Sequence, residues 1–158
     1  MTSTHTRTVR YAETPVQKAA MIIGIVFLLV GIAGFIPGIT TGLDTIVFAG
    51  HESGAMVLGV FQVSILHNIV HLLFGVSGLV FATGIGGARG YLIIGGLVYA
   101  ALLLYGLVVP GEDAANFVPL NAADNWLHAA LALGMILLGL LLGPRRVAGT
   151  VATRGGRA

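Results

Sequence analysis

The chain has 158 residues, of which 56% are hydrophobic and 9% charged, and its mean hydropathy is +0.97. A soluble domain carries about 25% charged residues, so this composition lacks the material for a solvated surface and points to an integral membrane protein. With 0 Cys and a formal net charge of +2, the chain offers no disulfide framework, no thiolate metal site, no cysteine nucleophile and no electrostatic case for nucleic acid.

In chain order, the predicted organisation is a polar tail over 1–17, an all-α transmembrane domain over 18–145 and a second tail over 146–158. Thr14-Pro15-Val16-Gln17 reads as a helix start, with Thr as the cap, Pro in the first turn and Gln in the capping-box position. The first apolar run, Ala19–Pro37, exceeds the roughly 7–15 residues of a signal-peptide core and has no small-residue cleavage pattern at its end, so it reads as a retained span. Three further runs, Val57–Thr83, Tyr91–Val109 and Asn121–Gly143, reach the roughly 17–25 residues that cross a hydrocarbon core. Between them lie a loop over Gly38–Met56, a tight turn over Gly84–Gly90 and a loop over Pro110–Leu120. Arg7, Arg10, Lys18, Arg89, Arg145, Arg146, Arg154 and Arg157 all fall on one side of this arrangement, whereas Asp44, Glu52, Glu112 and Asp113 occupy the opposite loops. By the positive-inside rule both termini are expected in the cytoplasm.

A polar pattern opens two of these runs. His67-Asn68-Ile69-Val70-His71 heads the second span and Asp124-Asn125-Trp126-Leu127-His128 heads the fourth, 57 positions on. Ile22-Ile23-Gly24 answers Ile93-Ile94-Gly95, and Pro37-Gly38 answers Pro110-Gly111. These matches predict two similar helical hairpins in the same orientation, a parallel internal repeat. Helical spacing puts His67, His71, Gly75 and Gly78 on one stripe and Asp124, His128, Ala132 and Met135 on another. Small residues on such stripes let membrane helices approach closely, so both are expected to face inward. At about 1.5 Å per residue, His71 lies about 20 Å from Gly84 and His128 about 22 Å from Gly143, both in the outer half of a core about 30 Å thick.

Ionisable groups inside apolar helices invite functional readings. His67, His71, Asp124 and His128 together suit zinc, copper or iron, with Asn68 and Asn125 orienting the imidazoles. Alternatively, His71 and His128 form an axial pair for haem b, or the same groups serve as a proton relay or quinone headgroup site. The structural reading treats His and Asn as an interhelical clamp, and Asp124 as a first-turn carboxylate of a helix capped by Asn121. Trp126 fits an interfacial anchor, and Tyr99 and Tyr105 fit packing or interface roles. His51-Glu52 in the first loop is a weak additional ligand pair, and the glycines of spans one and four suit close packing or a homodimer face.

The segment Leu120-Asn121-Ala122-Ala123-Asp124-Asn125-Trp126-Leu127-His128, together with Asn68-Ile69-Val70-His71-Leu72-Leu73-Phe74-Gly75, resembles the domain of unknown function 4383 family. These are small four-span membrane proteins of bacteria, and the resemblance covers about Lys18–Gly143. It implies a four-helix membrane fold with Asn68, His71, Asn125 and His128 as hallmark positions, and it implies no activity. The expected protein is therefore a multi-pass scaffold or accessory protein of the bacterial cytoplasmic membrane, alone, as a homo-oligomer or in a larger complex. No cofactor is required on this reading; a metal ion or haem b at the histidines is the alternative.

Overall fold

A computed structural model describes residues 11–109, 111–113 and 115–143. Most of both tails, six of the eight basic residues on which the expected orientation rests, and Pro110 of the second Pro-Gly pair lie outside the described residues. The elements run α1 (Pro15–Ala33), β1 (Thr40–Thr41), a 3-10 turn (Leu43–Thr45), β2 (Met56–Val57), β3 (Phe61–Gln62), α2 (Ile65–Phe81), α3 (Ile85–Val108) and α4 (Ala122–Leu141). By length and composition α1, α3 and α4 are apolar helices long enough to cross a membrane; α2, with 17 residues, is shorter. Their outward faces carry Ile22, Leu29, Leu73, Val80, Leu104 and Leu133, all exposed, as a helix solvated by lipid requires.

α1 begins as its opening residues dictate. Thr14 Oγ1 accepts from the Gln17 backbone N–H, and the Gln17 side chain accepts in return from the Thr14 N–H at 3.0 Å. Gln17 is fully buried and its amide also donates to Ala82 O at 2.9 Å, which ties the start of α1 to the end of α2. At the other hairpin the half-buried Arg89 donates from Nε to Gly139 O at 3.2 Å, placing a cation near the C-terminal end of α4, where the helix dipole favours it. The starts of α1 and α3 thus share one end of the molecule, and the small sheet caps the other.

Two predicted boundaries are corrected. The apolar run from Val57 does not begin a helix: β2 and β3 pair antiparallel there, Met56 against Gln62 and Val57 against Phe61, and β1 completes the sheet through Thr40–Val57 and Thr41–Met56. The reversal between β2 and β3 needs positive φ at Leu58 (54°) and Gly59 (68°), and hydropathy carries no trace of it. Conversely, the turn expected over Gly84–Gly90 is mostly helix, since α3 starts at Ile85 and only 82–84 connect the two helices. A glycine run is a weak helix former, and here Arg89 and the packing of Ala88 against the core override the propensity.

Within each hairpin the helices pack closely along their length, while α2 and α3 touch little. The α1–α2 contact is made by backbone on backbone at Gly24, Gly75 and Gly78. A Cβ on Gly24 would lie 2.8 Å from Gly75 O and 3.1 Å from the Gly78 carbonyl carbon. Neither obstacle can rotate away, so a side chain there must push the helices apart. Gly24→Val is expected to destabilise the protein by about 1–3 kcal/mol. Gly134→Ala, in α4 with open space around it, should leave stability unchanged or raise it by roughly 0.5–1 kcal/mol. Thermal unfolding of the two variants in one detergent measures both.

Candidate functional site

The chemistry-bearing residues of α2 are positioned by how that helix starts. Ser64 is its N-cap, and the Ser64 hydroxyl accepts from the His67 N–H at 3.2 Å. The Ile65 and Leu66 N–H groups donate to Val47 O (3.1 Å) and Phe48 O (2.9 Å) of the preceding loop, and the Asn68 N–H closes the first helical bond to Ser64 O. The Ile65, Leu66 and His67 N–H groups, which have no partner within the helix, are therefore all satisfied. His67 falls in the first turn, and His71 one turn later on the same face.

The two rings stack, with centroids 4.5 Å apart and planes inclined by 15°. His71 Nδ1 lies 3.0 Å from His67 O. A carbonyl can only accept, so His71 carries its proton on Nδ1 and its Nε2 is an acceptor when the ring is neutral. A series of ring contacts then crosses the interior from helix to helix. His71 meets Phe27 of α1 at 5.5 Å, Phe27 stacks on Tyr99 of α3 at 5.5 Å, and Tyr99 meets His128 of α4 at 5.2 Å. His71 and His128 are buried, and so is the whole predicted α4 stripe of Asp124, His128, Ala132 and Met135.

His67, His71 and His128 line one partly open cavity of about 130 Å³, together with Ser64, Leu66, Val70, Tyr99, Leu102, Phe117 and Val118. The Nδ1 atoms of His67 and His128 are buried and have no hydrogen-bond partner among the described residues. His51 does not line this cavity; its carbonyl accepts from Gln62 Nε2 at 3.0 Å.

The remaining predicted site residues are committed elsewhere. Asn68 is buried and donates from Nδ2 to Gly34 O at 2.9 Å, from α2 to the C-cap of α1. Asn125 donates from Nδ2 to Gly106 O at 3.0 Å, from α4 to the last turns of α3. A Cβ on Gly34 would overlap Asn68 Oδ1, and one on Gly106 would overlap Asn125 Oδ1, so each amide needs a glycine opposite it. Asp124, 2% exposed, accepts from the Asn121 N–H at 3.0 Å and the Gln62 N–H at 3.2 Å. Its carboxylate completes the capping box of α4 and fastens that helix to β3, while Asn121 Nδ2 donates to Val60 O at 2.7 Å.

These commitments bear on the expected metal ligands. Imidazole lone pairs lie in the ring plane, so the stacked His67 and His71 do not aim at a common point, and Asp124 faces backbone donors. Among the described residues no group of three or more His, Cys, Asp or Glu side chains is placed to hold a metal ion. His71 Nδ1 is committed to His67 O, and the cavity that the three histidines line falls well short of the ~300–1,000 Å³ of ordinary cofactor sites.

Fold and site define the class: a small helical protein with membrane-like helices, carrying a histidine-lined cavity under a loop and sheet cap. The chain belongs to the family described as domain of unknown function (DUF4383), whose profile matches residues 17–141. No curated protein and no solved structure matches it.

The role of Asp124 is directly testable. Asp124→Leu leaves two backbone donors unpaired and is expected to cost about 1–3 kcal/mol, with faster hydrogen exchange at the Gln62 and Asn121 amides. Asp124→Asn keeps an acceptor and should recover most of that loss.

Proposed function

We propose that this is a small integral scaffold or accessory protein of the bacterial cytoplasmic membrane, in which paired Asn residues and the His cluster clamp four membrane-crossing helices. The observation that carries this reading is the repeated clamp: in each hairpin the returning helix gives an Asn amide to a glycine carbonyl near the end of the outgoing helix. In an apolar phase such bonds set helix register, because close packing alone tolerates sliding. The same equivalence supports an internal repeat, with Asn68 and Asn125 as corresponding positions. α2, at about 26 Å, is short for a core about 30 Å thick, but it runs antiparallel to α1 from the sheet end to Ala82, so the two are read as crossing together. Both termini are placed inside, with Lys18 and Arg89 at the cytoplasmic end and Asp44, Glu52, Glu112 and Asp113 outside.

Because the sequence has 0 Cys, single introduced cysteines report orientation without background. Glu52→Cys, exposed in the first loop, is expected to react with an impermeant maleimide in intact cells, and Thr83→Cys, exposed between α2 and α3, only after permeabilisation. Equal labelling of the two from outside would refute both the fourth crossing and the orientation. Asn68→Ala and Asn125→Ala are each expected to lower stability by about 0.6–2 kcal/mol. For the accessory role, mild solubilisation of native membranes should yield a species larger than one 16.3 kDa copy, weakened by the double Asn variant. A solitary copy at native abundance would refute it.

A further inference from the structure

The β2–β3 hairpin reverses at an unusual residue. Leu58 and Gly59 both hold positive φ, 54° and 68°, a conformation that Gly, Asn and Asp adopt readily and that crowds the Cβ of leucine. Asn-Gly is the common solution for such a reversal. Packing does not account for leucine, because its side chain is 69% exposed. A strained backbone that holds a leucine outward needs something apolar for it to meet. We propose, resting on the membrane-crossing reading of the helices, that the Leu58 turn with Ile36 and Ile39 is an interfacial anchor, seated in the headgroup–acyl boundary of the leaflet opposite Arg89.

Height, surface and backbone agree. Asn121, the N-cap of α4, donates to Val60 O at 2.7 Å, and Gly139 O near the other end of that helix accepts from Arg89 Nε at 3.2 Å. Between Asn121 and Gly139 the helix rises about 27 Å, close to the ~30 Å of a hydrocarbon core. With Arg89 at one boundary, the turn stands at the other. Ile25, Leu29, Ile32 and Ile36 are exposed at four- and three-residue spacing along α1 and past its end. Ile39 is exposed too, and its carbonyl accepts from the Leu58 N–H at 2.8 Å, so the lipid-facing stripe of α1 runs unbroken into the turn. The turn also spends its backbone donors internally. Besides Leu58, the Gly59 N–H donates to Met56 O at 3.2 Å and the Val60 N–H to Val57 O at 3.1 Å. An apolar phase demands that pairing, whereas a loop in water does not. No Lys or Arg occurs in 19–88 or 90–144, so apolar contact rather than charge holds the anchor.

With 0 Cys in the sequence, a nitroxide can be attached at single introduced cysteines of the full chain in phosphatidylcholine nanodiscs. Collision with oxygen, which concentrates among acyl chains, is compared with collision with a water-soluble nickel chelate. Leu29→Cys, exposed in mid-α1, tests the membrane reading itself, and Glu52→Cys, exposed in the first loop, is the aqueous reference. Leu58→Cys and Ile39→Cys are each expected to give an oxygen-to-nickel ratio several times that of Glu52→Cys, unchanged at high salt. Adding Leu58→Asn, which suits the left-handed backbone, should lower the Ile39→Cys ratio several-fold without lowering the unfolding temperature. Nickel-accessible labels at 58 and 39 beside a lipid-facing label at 29 would overturn the anchor and leave the crossing helices standing. A nickel-accessible label at 29 would overturn both. An Ile39→Cys ratio indifferent to Leu58→Asn would also overturn the anchor. A label at 58 closed to both reagents, or broadened by a neighbouring nitroxide, would assign the turn to a second copy of the chain instead of lipid.

Discussion

A side-chain amide facing a glycine carbonyl across a helix pair is the interaction on which this architecture hangs. In an apolar surrounding there is no hydrophobic drive between helices, so register must come from shape and from a few polar bonds. Asn68 on Gly34 and Asn125 on Gly106 supply one such bond per hairpin, each near the sheet end. Each also dictates its partner, since the space a Cβ would need is filled by the amide oxygen. With register set there, Gly24 meets Gly75 and Gly78 lower down, and Gly96 meets the Ala132 and Ile136 region of α4. The ring series from His71 through Phe27 and Tyr99 to His128 then joins one hairpin to the other.

The sheet end is more than a connection. The first turns of α2 and α4 both present backbone donors, and the cap meets them: Val47 and Phe48 carbonyls for α2, and the Asn121–Asp124 box for α4. Asp124 reaches further, to the Gln62 N–H of β3, and the Gly50 N–H donates to Phe117 O at 2.8 Å. The long first loop and the shorter second loop are thereby joined, with the histidine-lined cavity beneath them. Tyr105 steadies the second loop by accepting from the Phe117 N–H at 3.1 Å and donating to Ala115 O. Phe117 and Val118 of the second loop form part of the cavity wall.

How much of this was legible in the sequence depends on the range of the signal. Local signals held: Thr14 and Gln17 form their capping box and Asn121 caps α4 as read, while the bond by which Asp124 answers the Asn121 N–H adds to the first-turn role read for that carboxylate. Periodicity placed Asp124, His128, Ala132 and Met135 on a buried stripe, as found. Hydropathy failed at Val57–Val63, because Val and Phe are equally apolar in a strand and in a helix, and the deciding feature was a left-handed turn at Leu58-Gly59. It failed again at Gly84–Gly90, where tertiary packing outweighs glycine's reluctance. The asparagines were identified by spacing, but their acceptors were not, since any carbonyl on the facing helix was eligible. Phe27 and Tyr99 had no distinguishing mark among other aromatic residues in apolar runs. Their meeting with the histidines is a long-range fact that no local pattern encodes.

The short link at 82–84 has a consequence for how the molecule is assembled. Each asparagine and its glycine lie on the same side of that link, as do the glycine contacts of each hairpin, so the bonds that define a half are internal to it. What crosses the link is aromatic stacking, the cap, the Tyr91 hydroxyl donating to Phe74 O, and packing of α3 on α1 and α2 that is sparser than the packing within either hairpin. A chain severed there would leave two fragments, each with its own register intact and a greasy seam exposing Phe27 or Tyr99. Such pieces have the makings of a pair that reassociates after separate insertion, with the seam rather than the covalent bond deciding which partner is taken.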